Sequence, residues 1–365
     1  MNWTAVLTGN DRQAGRPPSG SRPQGMSAPG ETERATAADA PPHPSRFHPE
    51  SGRVPILVGP TAVGKSSLAL ALAEALGGEI VSADSRQIYR HMDIGTAKPA
   101  ASELRRVRHH FIDICDPDTE YSAGTYGRDA RSCIEELFAR GVQPVVVGGS
   151  GFYIRALVDG LFAPQASDPA IKQKWRLKIA SEGAAAVHAQ LAGIDPESAA
   201  RLHPNDTQRV IRALEVWEIT GQPISTFQSG IAEPAGFRPL FFGLTRPREA
   251  LYERIDRRVE QMFRDGLLEE IRRLTAMGYG LHNNALLTVG YQEILECPEL
   301  LEPGADLAAA VLLIQQHSRQ YAKRQMTWFR RDARIDWIDL EGRSEQESCE
   351  ELLARWEKEE DENQR

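Results

Sequence analysis

The run Gly59, Pro60, Thr61, Ala62, Val63, Gly64, Lys65 and Ser66 fits the pattern G-x-x-x-x-G-K-[ST]. Glycines at this spacing let successive backbone N–H groups turn toward one point, where they can hold an anion. Lys65 adds a point charge, and the Ser66 hydroxyl can ligate Mg²⁺. The chemistry is the gripping of a di- or triphosphate group. The pattern does not choose a nucleotide or any other carrier. An apolar run closed by glycine precedes the loop, and Ala and Leu at helical spacing follow it. This strand–loop–helix context assigns all eight positions to diphosphate binding.

A second chemical group stands at Asp84, in Ser82-Ala83-Asp84-Ser85-Arg86-Gln87. In an open parallel sheet, ligands sit beyond the C-terminal ends of the strands, so Asp84 should face the phosphate loop across a crevice. A carboxylate there can take a proton from an incoming nucleophile. It can equally cap a turn or hold Mg²⁺ through water, and position alone leaves these readings open. A third segment, Gly148-Gly149-Ser150-Gly151-Phe152-Tyr153, closes another strand. Its glycines allow close backbone approach, and Ser150 offers a hydroxyl to substrate. A plain strand-to-helix turn is the alternative.

The elements that must position these groups follow from periodicity. Short apolar runs predict strands at 54–59, 79–83, 110–114, 144–149 and 241–244, the last being the final core strand. Helical spacing predicts helices at 66–76, stopped by Gly77 and Gly78, and at 124–140, stopped by Gly141. Strands that alternate with helices imply an α/β fold: a P-loop NTPase-like parallel sheet with helices on both faces. The core is expected in 54–159 and 231–340. Residues 160–230 read as a helical insertion, with Lys172, Lys174, Arg176 and Lys178 close together, and almost everything after 247 reads as helix. Residues 341–365 read as an acidic amphipathic helix and frayed tail.

Residues 1–53 carry eight of the 23 prolines and few large apolar residues, which predicts a disordered extension. A transit peptide or a start codon set too early are the other readings. The chain has 365 residues, 41% of them hydrophobic, and a net charge of −8. An acidic average does not recruit nucleic acid, so RNA binding would need a local basic face. Cys115, Cys133, Cys297 and Cys349 form no C-x-x-C pair, which argues against a zinc knuckle or disulfide framework. Reduced thiols and the absence of a long apolar run predict a cytoplasmic protein without a membrane span.

Two segments could supply the basic face. Gln208, Arg209 and Arg212 fall at helical spacing beside an apolar stripe of Val210, Leu214 and Trp217. A later helix, expected over 319–334, carries Arg319, Lys323, Arg324, Arg330, Arg331 and Arg334 against Asp332 alone, with Gln325-Met326-Thr327-Trp328 inside the run. Interleaved cations and an aromatic favour RNA over a merely solvated helix.

The segments also form an ordered series. The phosphate loop is followed by Ser82-Ala83-Asp84-Ser85-Arg86-Gln87-Ile88-Tyr89 and Met92-Asp93-Ile94-Gly95-Thr96-Ala97-Lys98-Pro99. Then come Asp116-Pro117, Tyr121-Ser122-Ala123 and the Ser150 segment. His203-Pro204-Asn205-Asp206, Gln208-Arg209-Val210-Ile211-Arg212-Ala213-Leu214-Glu215, Val289-Gly290-Tyr291 and Ala322-Lys323-Arg324-Gln325-Met326-Thr327-Trp328 complete it. Over roughly 54–340 this series resembles the bacterial tRNA dimethylallyltransferases. Two departures stand out: Ser150 where bacterial members often carry Thr, and Leu286-Leu287 where many carry a more polar or basic residue. The C-terminal zinc finger of eukaryotic members is not matched.

The resemblance implies dimethylallyl diphosphate as donor, Mg²⁺ as cofactor and tRNA as acceptor. The implied target is N6 of the adenosine just 3′ of the anticodon, position 37, in tRNAs that read codons beginning with U. It implies catalytic roles for Asp84, Ser150 and Arg258, with Arg258 reaching the diphosphate, and a monomer as the working form. It implies tRNA contacts at Asp84, Ser85, Arg86, Gln87, Ser150, Lys172, Gln208, Arg209, Val210, Ile211 and Arg212. Arg254 and Arg257, on the same charged helix as Arg258, read as solvated. Three rivals remain: an adenylate isopentenyltransferase, a P-loop kinase of a small metabolite, and a non-catalytic RNA-binding module.

Overall fold

The computed structural model describes residues 52–161, 167–228 and 234–361. The expected disorder of the extension lies outside the described residues, except that Arg53 already belongs to the first strand. The strands are β1 (Arg53–Val58), β2 (Gly78–Ser82), β3 (His109–His110), β4 (Gln143–Gly148), β5 (Arg238–Thr245) and β6 (Asp336–Asp339). All pair in parallel in one sheet of order β3-β2-β4-β1-β5-β6. Among the core helices, α1 (Lys65–Leu76), α2 (Ala101–Arg106), α3 (Ala123–Ala139) and α4 (Gly151–Val158) precede the insertion. The insertion holds α5 (Pro169–Glu182), α6 (Ala184–Ile194), α7 (Pro196–Arg201), α8 (Thr207–Thr220) and α9 (Ile224–Gln228). After β5 come α10 (Arg248–Arg264), α11 (Leu267–Ala276), α12 (Gln292–Leu295), α13 (Ala308–Phe329) and α14 (Glu345–Asp361).

Successive strand residues point to opposite faces, and the core divides accordingly. Ile56, Val81, Val146 and Phe241 pack with α3, α4, α11 and α13. Their neighbours Leu57, Ile80, Val145 and Phe242 pack with α1 and α14. Apolar residues on both sides of each strand thus dictate helices on both faces. The insertion has its own apolar cluster, built on Trp175, Val187, Leu191, Val210 and Leu214.

Two strands depart from expectation. The strand expected over 110–114 shrinks to His109 and His110, because Phe111 and Asp113 turn into the left-handed region at φ 63° and 55°. Asp113 is held there by an ion pair with Lys98. Nor is β5 the last core strand: β6 pairs beside it as a four-residue edge strand flanked by aspartates, too short and too acidic to stand out in the sequence.

The C-terminal helix is part of the core. Leu352 and Trp356 are fully buried against the α1 face of the sheet. The Arg53 guanidinium lies 4.4 Å from the Trp356 ring centroid and donates to the Trp356 carbonyl at 3.2 Å. Truncation to Trp356→Ala should therefore cost about 3–5 kcal/mol, the usual loss for a buried Trp. A urea titration checks this; a loss below about 1 kcal/mol would show that α14 is dispensable to the core.

Candidate active site

β1 delivers the phosphate loop and α1 leaves it. Gly59 must be glycine: its φ is 148°, and a Cβ there would lie 2.7 Å from the Leu244 carbonyl of β5. Gly64 begins α1 at φ 118°, and no side chain caps the helix, so its first amides stay open to an anion. The Lys65 Nζ donates to the Gly59 and Pro60 carbonyls at 3.0 and 2.7 Å. Burial brings its pKa down to about 7, with Asp84 pulling upward and Arg258 adding to the drop. The loop has a clamp on its other side. Gln325 of α13, itself buried, accepts from the Thr61 N–H at 2.8 Å and donates to the Gly149 carbonyl at 3.0 Å.

Asp84 lies just beyond β2. Its Oδ1 accepts from the Arg86 and Gln87 amides at 2.8 and 3.4 Å, which makes it a turn cap. Its Oδ2 takes no hydrogen bond among the described residues. One oxygen therefore fixes the loop while the other is available for chemistry. Arg86 is tied to the Asn284 carbonyl at 2.7 Å, and Gln87 to the Thr96 and Ala97 carbonyls at 3.2 and 3.0 Å. Ser150 holds the turn from β4: its Oγ accepts from the Ser85 N–H at 3.0 Å and bonds the Ser85 hydroxyl at 3.1 Å.

The segment that carries Thr96 and Ala97 hangs on a buried carboxylate. Glu270 of α11 accepts from the amides of Asp93 and Ile94 at 2.8 Å each, from Gly95 at 3.2 Å, and from the Tyr291 hydroxyl at 2.6 Å. Three amides on one buried glutamate satisfy its charge without a cation.

Two cavities meet here. The larger, about 660 Å³, is polar and cationic, with Lys65, Ser66, Arg254, Arg257, Gln261 and Arg264 on its wall. The smaller, about 340 Å³, has an apolar side formed by Ile255, Val259, Met262, Leu287, Val289 and Ile314. Thr61, Ala62, Asp84, Thr96, Arg258 and Tyr321 line both. Desolvation lowers the Arg258 pKa and Asp84 opposes that shift; desolvation and Asp84 push the Tyr321 hydroxyl up to about 12.

Lys65, Ser66, Asp84 and Arg258 are thus brought together. Ser150 touches Ser85 and lines neither cavity. Arg254 and Arg257 are not merely solvated: both face the larger cavity, and the Arg254 Nε donates to the Ala62 carbonyl of the loop at 2.8 Å. Arg254, Arg257, Arg258 and Gln261 repeat at helical spacing, a signal that would have grouped them on one face. The anchors Gln325 and Glu270 leave no such local trace.

The expected RNA face needs correction. Val210 and Ile211 are core residues of the insertion, so their side chains cannot meet RNA. Lys172 pairs with Glu120 at 2.6 Å, and Arg212 with the buried Glu215 at 2.7 Å. Gln208 and Arg209 are exposed, Arg209 beside Asp206 at 3.3 Å. The basic helix starts at Ala308 and ends at Phe329, so Arg331 and Arg334 lie beyond it. Arg319 is paired with Asp256, and Arg334 with Asp159 and Asp332. Among the described residues, Lys323, Arg324, Arg330 and Arg331 are exposed without an ion pair. No described helix is long and apolar enough to cross a membrane.

Comparison with known proteins places this geometry. Residues 87–332 match the family model described as IPP transferase. A tRNA dimethylallyltransferase of Geobacter metallireducens is 48% identical over 297 residues, covering 80% of this chain and 94% of the relative. One from Pelotomaculum thermopropionicum is 44% identical over 309 residues, covering 84% and 97%. The crystal structure of a tRNA isopentenylpyrophosphate transferase from Bacillus halodurans aligns with TM-score 0.61 at 35% identity, over 86% of this chain and all of that one. A eukaryotic dimethylallyltransferase acting on tRNA aligns with TM-score 0.69 at 28% identity, over 83% and 80%.

Proposed function

This chain belongs to the IPP transferase family and is a prenyltransferase of the tRNA dimethylallyltransferase kind, and from that premise we propose that it moves a dimethylallyl group from dimethylallyl diphosphate to N6 of the adenosine 3′-adjacent to the anticodon in tRNAs reading codons that begin with U. The observation that carries this reading is the junction of a cationic cavity with a partly apolar one at Asp84 and Arg258. A diphosphate suits the first and a short isoprenoid the second.

The adenine amine is a weak nucleophile, because its lone pair is delocalised into the ring. As N6 bonds to the allylic carbon, the carbon–oxygen bond breaks and its electrons pass to the bridging oxygen of diphosphate. Asp84 Oδ2 takes the N6 proton. The open amides of α1, Lys65, Arg254 and Arg258 stabilise the charge that grows on the leaving group. Ser150 acts as a positioning residue, through Ser85, on the turn that holds Asp84. A stacked base cannot reach this junction, so the adenosine must be flipped out of its loop at a cost of a few kcal/mol.

The Ser66 hydroxyl borders the cationic cavity, and Mg²⁺ characteristically takes one or two protein ligands together with waters and substrate phosphate, so Ser66 with a bound diphosphate suits it. Bound there, Mg²⁺ would add charge stabilisation at the diphosphate. The working form is a monomer and the setting the cytoplasm.

The direct test is to incubate the protein with labelled dimethylallyl diphosphate, Mg²⁺ and bulk tRNA, then digest the RNA. Label in N6-prenylated adenosine is expected. Absence of label from the RNA overturns the reading. Among exposed basic groups, Arg209 is the clean probe, because Arg212→Ala would also strip a partner from buried Glu215. Arg209→Ala should weaken tRNA binding and lower its salt slope by about one, with donor affinity unchanged. An unaltered slope would assign Arg209 to its Asp206 pair alone.

A further inference from the structure

Phe152, the second residue of α4, keeps 52% of its surface in solvent, whereas Trp217, the next most exposed aromatic among the described residues, keeps 37%. Its ring is not loose. It lies 4.6 Å centroid to centroid from Trp328, tilted by 47°. Trp328 is pressed against Gly151, where a Cβ would sit 2.2 Å from the indole Nε1. The pair is therefore a fixed aromatic step, covered on one side and open on the other.

Its surroundings are cationic. Arg155 and Arg331 line the hollow of about 490 Å³ beside Trp328. The two aspartates of that hollow, Asp159 and Asp332, are both paired with Arg334. Arg155, Arg324 and Arg331 are exposed and carry no ion pair among the described residues. The step also adjoins the reaction centre. Phe152 follows Ser150 by two residues, and Trp328 follows Gln325, the clamp of the phosphate loop, by three. Arg324 lines the smaller cavity, one turn of α13 before Trp328.

We infer that Phe152, backed by Trp328, is a stacking platform for an unpaired nucleobase of the tRNA anticodon loop beside the flipped adenosine, with Arg155, Arg324 and Arg331 holding the phosphates on either side. The inference rests on the tRNA reading above. Single-stranded RNA is recognised by this combination of an open aromatic face and unpaired guanidinium groups. A base stacked here would keep the loop from sliding while its neighbour is out of the stack.

The test uses the full chain and a synthetic anticodon stem-loop hairpin. Phe152→Ala should weaken hairpin binding by about 5- to 150-fold, the usual worth of one stacked base. The loss should persist at high salt, and Phe152→Tyr should restore binding. KM for tRNA should rise while KM for the donor and the melting temperature stay put, since the ring is exposed. Arg331→Ala should lower the salt slope by about one without changing the high-salt affinity. If wild type binds the hairpin and Phe152→Ala binds it equally well, the platform is refuted and the tRNA reading stands. A wild-type chain that binds no hairpin overturns the tRNA reading and this inference together.

Discussion

Replacement of Asp84 by asparagine is expected to slow prenyl transfer by about 10²–10⁴-fold, the ordinary contribution of a general base. The substitution is clean because of how the carboxylate is used. Oδ1 caps the turn through the Arg86 and Gln87 amides, and an asparagine oxygen can accept the same bonds. The loop and the cavities should survive. What disappears is the basic, otherwise unbonded Oδ2, whose place is taken by an NH₂ that cannot accept a proton. Affinity for tRNA should stay near wild type. A metal-ligand role predicts instead that extra Mg²⁺ restores much of the rate. Single-turnover kinetics at two Mg²⁺ concentrations separate these outcomes, and a fast or Mg²⁺-rescued variant would remove Asp84 as the base.

Loss of the Lys65 ammonium should be comparably severe. Lys65→Ala is expected to cut turnover by about 10²–10³-fold, since one preorganised donor at developing charge is worth that much. The wild-type residue also makes a pH prediction. Burial brings its pKa down to about 7 in the free protein. A diphosphate beside it favours the ammonium form and raises that value. Above about pH 7 the free lysine loses its charge while the diphosphate holds the bound lysine in its ammonium form, so donor binding should take up protons. Affinity should accordingly fall as pH rises above about 7. Calorimetric titration at pH 8 in two buffers of different ionisation enthalpy measures the uptake directly. It should vanish in Lys65→Ala; equal heats for wild type in both buffers would show that Lys65 is already charged before the donor arrives.

The parts of this site legible in the sequence are those whose chemistry is local. The phosphate loop declares itself in eight consecutive residues, and Asp84 follows from the rule that ligands lie beyond strand ends. The alternation of apolar runs gave away the parallel sheet, because both faces of each strand are buried. What stayed hidden depends on distance along the chain. Gln325 reaches the Thr61 amide across 264 residues, and Glu270 reaches Asp93 across 177. No spacing rule links such partners. The 208–212 segment shows the opposite error: a motif match treated Val210 and Ile211 as contacts, although apolar residues on a helix with its own core are first of all packing. Charge counting misled in the same way over 319–334, where acids from Asp159 and Asp256 neutralise cations that look free in one dimension.

The Gln325 clamp has a thermodynamic side. The helix that grips the Thr61 amide also carries Arg324 and Trp328, the groups assigned above to the anticodon loop, so one rigid body touches both the donor loop and the acceptor. Any shift of α13 that the acceptor favours is transmitted to the loop through the Gln325 amide. The two substrates then cannot bind as strangers: if tRNA tightens the grip on the diphosphate by some factor, the diphosphate tightens the grip on tRNA by the same factor. Gln325→Ala would weaken that link, and the factor by which each substrate raises the other's affinity, measured in the presence and absence of the other, should fall.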